Sequence, residues 1–306
     1  MIETERLSRR ASLLNLSALT LAENLKNGGF KSVFRGQGIE FSDVREYFPG
    51  DNVRSIDWNV TARMGKPFIK QYEEDRELNV FLVLDCSLSM KSGSLEKTRL
   101  SQACETAALI LFAAEKNEGA AGAVFFNGEI KFSCPPKSGK KNSMMIFSKL
   151  DKLESGDFFD GKESAQGSIL PNALSGAAKI LKKRSLVFVI SDFRAAKWES
   201  DFARLAEKHD VVAVKITDAS DSELPDSGTL SFFDIESGKR AVFPTSSRKF
   251  KSAWFEDNRR RTDKWRDFCV KHGADAIQIS TGEDAALALA RFLEQKKRNP
   301  RPGAAR

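Results

Sequence analysis

Short apolar runs alternate with longer amphipathic stretches along most of this chain, and this rhythm restricts the fold more than any other feature. Residues 80–84 and 186–190 are continuous apolar runs, which is typical of central strands in a sheet covered on both faces. Residues 97–116 place apolar side chains at the i, i+3, i+4, i+7 spacing of an amphipathic helix. Further strands are expected near residues 121–126, 129–134, 211–216 and 274–279, and further helices near residues 143–153, 171–182, 197–208, 248–271 and 284–295. The alternation predicts an α/β fold with a Rossmann-like, doubly wound and mostly parallel sheet.

The chain before this region has a different pattern. Residues 7–28 carry leucines at helical spacing and are followed by glycine, so we expect an N-terminal helix. Residues 33–77 consist of short extended segments broken by Gly and Pro. We expect an accessory β element there, in which residues 63–67 connect extended segments at residues 56–62 and 68–72.

These patterns divide the chain into three parts. Residues 1–77 hold the N-terminal helix and the accessory β element, residues 78–296 hold the α/β domain, and residues 297–306 form a basic, flexible tail. An insertion near residues 218–245 interrupts the α/β domain. Its apolar pieces, at residues 230–233 and 241–243, predict a small hairpin.

Composition limits the classes of function. No apolar run approaches the roughly 18 to 20 residues of a membrane span, and the N-terminus lacks the apolar core of a signal peptide. We therefore expect no membrane span and a cytoplasmic location. The four cysteines form no CxxC pair, which argues against a zinc site and a disulfide framework. Much of the net charge of +7 lies in residues 291–306, as in a solvated terminus, so no nucleic-acid partner is expected.

Polar side chains follow the two apolar strands. Asp85, Ser87 and Ser89 come directly after the first strand, and Ser191 and Asp192 come after the second. Because the carboxyl ends of parallel strands meet at one edge of a sheet, we expect these groups to converge. Carboxylate and hydroxyl oxygens suit hard dications, so the sequence predicts a Mg²⁺ or Mn²⁺ site of modest affinity. The alternative is that these residues only cap helices and make turn hydrogen bonds.

Three strings of the chain resemble a known site. DCSLSM, GSIL and ISDF look like the metal-ion-dependent adhesion site of von Willebrand factor type A domains. The upstream string FRGQGIEFSDVREYFPGDNVRSIDWNVTARMGKPFIKQYEEDREL is very similar to the signature of the bacterial family called domain of unknown function 58, and the similarity runs from about residue 33 to residue 193. The resemblance implies a von Willebrand type A-like core. In it, the first metal loop holds Asp85, Ser87 and Ser89, the third holds Asp192, and Ser168 stands where that fold usually has Thr.

The resemblance also implies a class of function. Members of the family are often encoded beside MoxR-type AAA+ ATPases and are thought to act with them in protein maturation or stress responses. The chain is therefore expected to be a non-catalytic, metal-dependent protein–protein interaction module. Its expected partner is a MoxR-type ATPase, or a client of that ATPase, that offers an acidic residue to the metal.

Four residues of the upstream string are candidate partner-binding residues. Arg35, Arg45, Arg54 and Trp58 stand among acidic and aromatic side chains. One interpretation is an ion-paired scaffold that ties the β element to the sheet. The other is a docking surface, because protein interfaces are enriched in arginine and aromatic residues.

Enzymatic alternatives have less support. Gly36 and Gly38 are followed by Phe41 where a dinucleotide fingerprint needs a third glycine, and residues 93–98 lack the glycine that a P-loop places before its lysine. With two histidines in the chain, a Ser-His-Asp relay or a zinc hydrolase is not expected. The alternatives that stay open are metal-assisted hydrolysis at Asp85 and Asp192 and, after it, nucleic-acid binding.

Overall fold

The computed structural model describes residues 38–48, 51–75, 79–94, 96–156, 170–233 and 240–298. The chain divides into two compact units, of which the smaller is Phe34–Glu77 and the larger contains Leu78–Arg306. The expected N-terminal helix at residues 7–28 lies outside the described residues, as do Arg35, Ser168 and residues 299–306 of the expected tail.

The smaller unit is built on an antiparallel strand pair. Strand β1 (Gly38–Glu46) pairs with strand β2 (Phe68–Asp75), and helix α1 (Trp58–Met64) lies between them in sequence. The β element is therefore present. The expected extended segment at residues 56–62 is wrong, because most of it belongs to α1, and β2 pairs with β1 instead.

Two capping residues explain why α1 is a helix. The Asp57 carboxylate accepts hydrogen bonds from the backbone N–H groups of Asn59 and Val60, at 3.0 and 3.2 Å. These are N–H groups that the first turn of a helix otherwise leaves unpaired. Gly65 ends the helix with a φ of 71°, a left-handed conformation that glycine adopts without strain. Local capping chemistry thus determines the conformation of this segment.

The larger unit contains a six-stranded sheet. Its strands are β3 (Asn79–Asp85), β4 (Ala120–Asn127), β5 (Glu129–Lys137), β6 (Leu186–Ser191), β7 (Asp210–Thr217) and β10 (Asp275–Ser280). Strands β8 (Thr229–Phe233) and β9 (Arg240–Pro244) form a separate hairpin. The order across the sheet is β10-β7-β6-β3-β4-β5, and every neighbouring pair is parallel except β4 with β5. The protein has a Rossmann-like α/β fold. The chain starts in the middle of the sheet and reverses its direction of winding between β3 and β6, which is a switch point where such sheets bind ligands.

Helices cover both faces of this sheet. They are α2 (Arg99–Lys116), α3 (Lys140–Ser155), α4 (Leu170–Ile180), α5 (Glu199–Lys208), α6 (Arg248–Lys271) and α7 (Ala285–Arg298). Phe81 and Val83 of β3 belong to one buried cluster with residues of α4, α5 and α6. Because side chains alternate along a strand, the buried Leu82 and Leu84 point to the opposite face. Helix α2 packs against β3 and also contacts α3 and α7.

The expected elements of the larger unit are confirmed to within a few residues, and so is the small hairpin, in which β8 and β9 pair antiparallel. Continuous apolar runs gave the clearest prediction because β3 and β6 are almost completely buried. Within the ranges that the structure describes, none of the helices has the length and apolar character needed to cross a membrane.

Candidate metal centre

The carboxyl ends of β3 and β6 bring the predicted polar groups together. The two strands pair in parallel, with Leu84 opposite Ile190, so Asp85 and Ser191 reach the same edge of the sheet. The Ser191 hydroxyl donates a hydrogen bond of 2.6 Å to Oδ2 of Asp85. Both side chains are fully buried. A residue 106 positions away in sequence thus fixes one oxygen of Asp85.

The loop after β3 turns back toward the same carboxylate. The backbone N–H of Ser87 donates to Oδ1 of Asp85 at 3.0 Å, and the hydroxyl oxygens of Ser87 and Ser89 are 3.1 Å apart. Ser87 is buried and Ser89 is half-buried. The loop therefore makes a turn hydrogen bond, as expected if these residues only stabilise the turn, and it also places two hydroxyls beside a buried carboxylate.

Asp192 supplies the second carboxylate of the site and is only 3% exposed. Its Oδ1 accepts a hydrogen bond from the backbone N–H of Arg194 at 3.1 Å. Its Oδ2 is buried and accepts no hydrogen bond from the described residues. The nearest cation to this oxygen among the described ion pairs is the half-exposed side chain of Arg194, whose Nε lies 3.7 Å away. A buried carboxylate oxygen without a donor is costly, so this atom indicates a position for a cation or another donor.

The two carboxylates affect each other electrostatically. Burial raises the pKa of Asp85, and the nearby charge of Asp192 raises it further, to about 6, while hydrogen bonds from Ser191 and Ser87 oppose the shift. Ionisation of Asp85 at neutral pH therefore costs more free energy in the folded protein than in the unfolded chain. A dication bound between the two groups would offset this repulsion.

The donor set fits a hard dication. Asp85 and Asp192 provide carboxylate oxygens, and Ser87 and Ser89 provide hydroxyl oxygens, which are ligand types that Mg²⁺ and Mn²⁺ accept. Ser168, the fifth expected ligand, lies outside the described residues. In the described part of the chain, no three or more His, Cys, Asp or Glu side chains cluster in a way that could hold a metal. Two carboxylates with neutral hydroxyls favour modest affinity and retained waters.

A second polar network lies close to this site. Asp221 accepts a hydrogen bond of 2.5 Å from the buried guanidinium of Arg99, and it also pairs with Arg194. Asp221 is 8% exposed. This buried pairing joins residues 122 positions apart, and neither residue belongs to a recognisable local sequence pattern that would have predicted it.

The four candidate partner-binding residues do not behave alike. Arg45 makes two hydrogen bonds with the Asp51 carboxylate, at 2.8 and 2.7 Å, and its guanidinium carbon lies 5.8 Å from the ring centroid of Phe48. This pairing gives Arg45 a structural role within the smaller unit. Trp58 is 68% exposed, so its ring is accessible to a partner. Arg35 and the side chain of Arg54 lie outside what the structure describes.

This chain is similar to a known protein family, to two mycobacterial proteins and to a solved structure. The model of a family described as "Protein of unknown function DUF58" matches residues 43–264. Proteins of Mycobacterium tuberculosis and Mycobacterium bovis, both named as uncharacterised, are 27% identical over 308 residues, which cover 99% of this chain and 93% of each relative. A solved structure named as an aerotolerance-related membrane protein of Bacteroides fragilis has a TM-score of 0.48 and 16% identity, and covers 72% of this chain and 99% of its own. That structural likeness is too distant to carry an argument.

Proposed function

Because this chain belongs to the DUF58 family, we propose that it is a non-catalytic, metal-dependent protein–protein interaction module with a von Willebrand factor type A-like core. The observation that carries the proposal is the pair of buried carboxylates at the switch point, one of which has an oxygen without a donor among the described residues. The hydroxyl of Ser87 lies beside Asp85, and the hydroxyl of Ser89 lies 3.1 Å from that of Ser87.

Two features support the type A-like core. The antiparallel strand β5 lies at the edge of an otherwise parallel sheet, and the reversal between β3 and β6 lies directly under the candidate site. The strings DCSLSM and ISDF, which resemble the adhesion-site pattern, follow those two strands. Sequence resemblance and sheet topology therefore lead to the same candidate site.

Each residue has a distinct task in this proposal. Asp85 and Asp192 would hold Mg²⁺ or Mn²⁺, assisted by Ser87, Ser89 and, as expected from the resemblance, Ser168. When bound, the dication would supply a positive charge that accepts a carboxylate from a partner protein. Ser191 orients Asp85 through its hydrogen bond of 2.6 Å and so acts as a positioning residue.

The partner we propose is a MoxR-type AAA+ ATPase or one of its clients, with the cytoplasm as the location. This step rests on the family resemblance, which associates such ATPases with chains of this kind. An acidic surface residue of the partner fits the positive charge of a metal site that keeps exchangeable ligand positions.

A binding assay with one matched control tests the proposal. The wild-type chain, an Asp192→Asn variant and an Asp151→Asn variant would be tested for binding to the MoxR-type ATPase encoded nearest to the gene, in Mg²⁺ or in EDTA. Asp151 is exposed on α3 and lies outside the site. We expect Mg²⁺-promoted binding by the wild type and Asp151→Asn, and loss of binding in EDTA or in Asp192→Asn. Equal binding of the partner by the wild type in EDTA and in Mg²⁺ would contradict the proposal. Metal-dependent hydrolysis of the partner protein that is lost in Asp192→Asn would favour the enzymatic alternative.

A further inference from the structure

A cavity of about 530 Å³ opens beside Asp192, between the loop after β6 and helix α6. This volume lies within the range of roughly 300 to 1,000 Å³ that is usual for small-ligand sites. Aromatic side chains form much of its wall. They are Phe193, Trp198, Trp265 and Phe268.

Lys215 places a buried cation in the wall of this cavity. The residue lies in β7, directly across from Ser191 of β6, and is only 9% exposed. Its ammonium donates a hydrogen bond of 3.0 Å to the Thr262 hydroxyl and lies 5.5 Å from the ring centroid of Trp265. Among the residues that the structure describes, no carboxylate forms an ion pair with it. Buried charges are normally paired, so this ammonium has the capacity for an anionic partner.

The pKa of Lys215 is consistent with this environment. Burial lowers it to about 8, although the nearby charge of Asp221 opposes the shift. At neutral pH the side chain still carries its proton for most of the time. The cavity wall therefore holds a positive charge that its surroundings stabilise poorly.

Trp265 adds a second donor without an acceptor. It lines the same cavity and is 5% exposed, and its indole Nε1 makes no hydrogen bond within the described ranges. Buried tryptophan N–H groups usually have an acceptor. Two residues of one cavity wall thus have unused capacity to donate to a ligand oxygen.

We propose that this cavity binds a carboxylate carried on an aromatic group, with the Lys215 ammonium as its counter-charge. The other cations that line the cavity are Arg194, which pairs with Asp221, Arg261, which pairs with Asp257, and the exposed Lys264. Lys215 is therefore the buried cation of this wall without an ion pair among the described residues, and the single charge of a carboxylate matches it. The second negative charge of a phosphate dianion would lie near Asp192, which also lines the cavity, without a second buried cation among the described lining residues to offset it.

The aromatic side chains of the wall offer a surface for the aromatic part of the ligand. The ring of Phe193 lies 5.2 Å from that of Trp198 and 5.4 Å from that of Trp265, measured between centroids. Further aromatic rings pack favourably at such distances. The carboxylate could belong to a free aromatic acid or to the C-terminal aromatic residue of a polypeptide. The cavity shares Asp192 with the proposed metal site, and Lys215 and the aromatic rings belong to the cavity alone. Binding is therefore to be measured both without and with a dication.

Paired probes test this proposal and identify the source of the ligand. The probes are 3-phenylpropionate, its amide, and a short peptide ending in phenylalanine with either a free or an amidated C-terminus. Titration calorimetry and tryptophan fluorescence would be measured in EDTA and again in Mg²⁺. At least one free carboxylate should bind in both conditions, and its amide should bind about tenfold more weakly or worse. Binding by the free acid alone indicates a small molecule, and binding by the peptide alone indicates a polypeptide terminus.

A variant pair tests the role of the lysine. Lys215→Met removes the charge but keeps the length of the side chain, and Lys179→Met removes an exposed lysine of α4 that does not line the cavity. Lys215→Met should weaken binding about tenfold or more, and Lys179→Met should not change it. Equal binding of acid and amide, unchanged binding by Lys215→Met, or no binding of any probe by the wild type would each overturn the proposal. The acid and amide comparison uses the wild type and remains decisive even if Lys215→Met does not fold.

Discussion

Replacing Asp85 by Asn should stabilise the metal-free protein at neutral pH. Burial, together with the charge of Asp192, raises the pKa of Asp85 from 3.8 to about 6. Each pKa unit corresponds to about 1.4 kcal/mol, so the ionised carboxylate destabilises the folded state by about 3 kcal/mol above pH 6. Asn is nearly isosteric and has no charge. It therefore removes the charge penalty, but its single oxygen can replace only one of the two carboxylate oxygens that accept from Ser87 and Ser191, so a hydrogen bond of about 1 kcal/mol offsets part of the gain.

The sign of the pH dependence follows from the same shift. Because the folded pKa is higher than the unfolded one, the folded protein holds a proton at Asp85 that the unfolded chain has already released between pH 3.8 and about 6. The wild type therefore loses stability relative to Asp85→Asn as the pH rises through this window. The stability of Asp85→Asn relative to the wild type should therefore increase by about 2 kcal/mol between about pH 4 and about pH 7.

Urea denaturation in EDTA, followed by tryptophan fluorescence, measures this difference. The wild type, Asp85→Asn and the exposed control Asp151→Asn would be compared at both pH values. Asp151→Asn should follow the wild type at both. A difference between the wild type and Asp85→Asn that does not change with pH would refute the electrostatic reasoning. Adding Mg²⁺ at neutral pH should then stabilise the wild type and not Asp85→Asn.

Three further substitutions test separate parts of the structure. Arg99→Met leaves the buried Asp221 with one fewer cation, so it should lower the free energy of unfolding by about 3 kcal/mol, measured by urea denaturation. A loss below about 1 kcal/mol would show that Arg194 alone neutralises Asp221. Gly65→Ala forces a β-carbon into the left-handed region and should cost about 1 kcal/mol by thermal unfolding, because space around the position is open and only backbone strain contributes. An unchanged midpoint would contradict the assigned cap. Trp58→Ala should leave stability within about 0.5 kcal/mol and weaken binding to the partner, whereas a large loss of stability would favour the scaffold interpretation.

The sequence predicts best those strands and helices whose apolar pattern follows from their burial. Strands β3 and β6 are covered on both faces, so their runs are continuously apolar and easy to recognise. Helix α1 is the counterexample, since it has seven residues and none of them is buried. Its conformation depends on the Asp57 cap and the left-handed Gly65, and hydrophobic periodicity carries no signal for such a segment.

The candidate site likewise has features that the sequence predicts and features that it does not. Parallel topology was enough to predict that the groups after β3 and β6 meet, because the ends of those strands share one edge. The hydrogen bond that orients Asp85 and the pairing of Arg99 with Asp221 depend on contacts between distant residues, which no local pattern contains. Lys215 was detectable in principle, because it is a charged residue inside the otherwise apolar strand β7.

Titration calorimetry with Mg²⁺ and Mn²⁺ at neutral pH shows whether Asp85 and Asp192 hold a dication. The measurement compares the wild type, Asp192→Asn and Asp151→Asn. We expect one dication site of modest affinity in the wild type and in Asp151→Asn, and its loss in Asp192→Asn. Absence of metal binding by the wild type, or equal binding by Asp192→Asn, would contradict it.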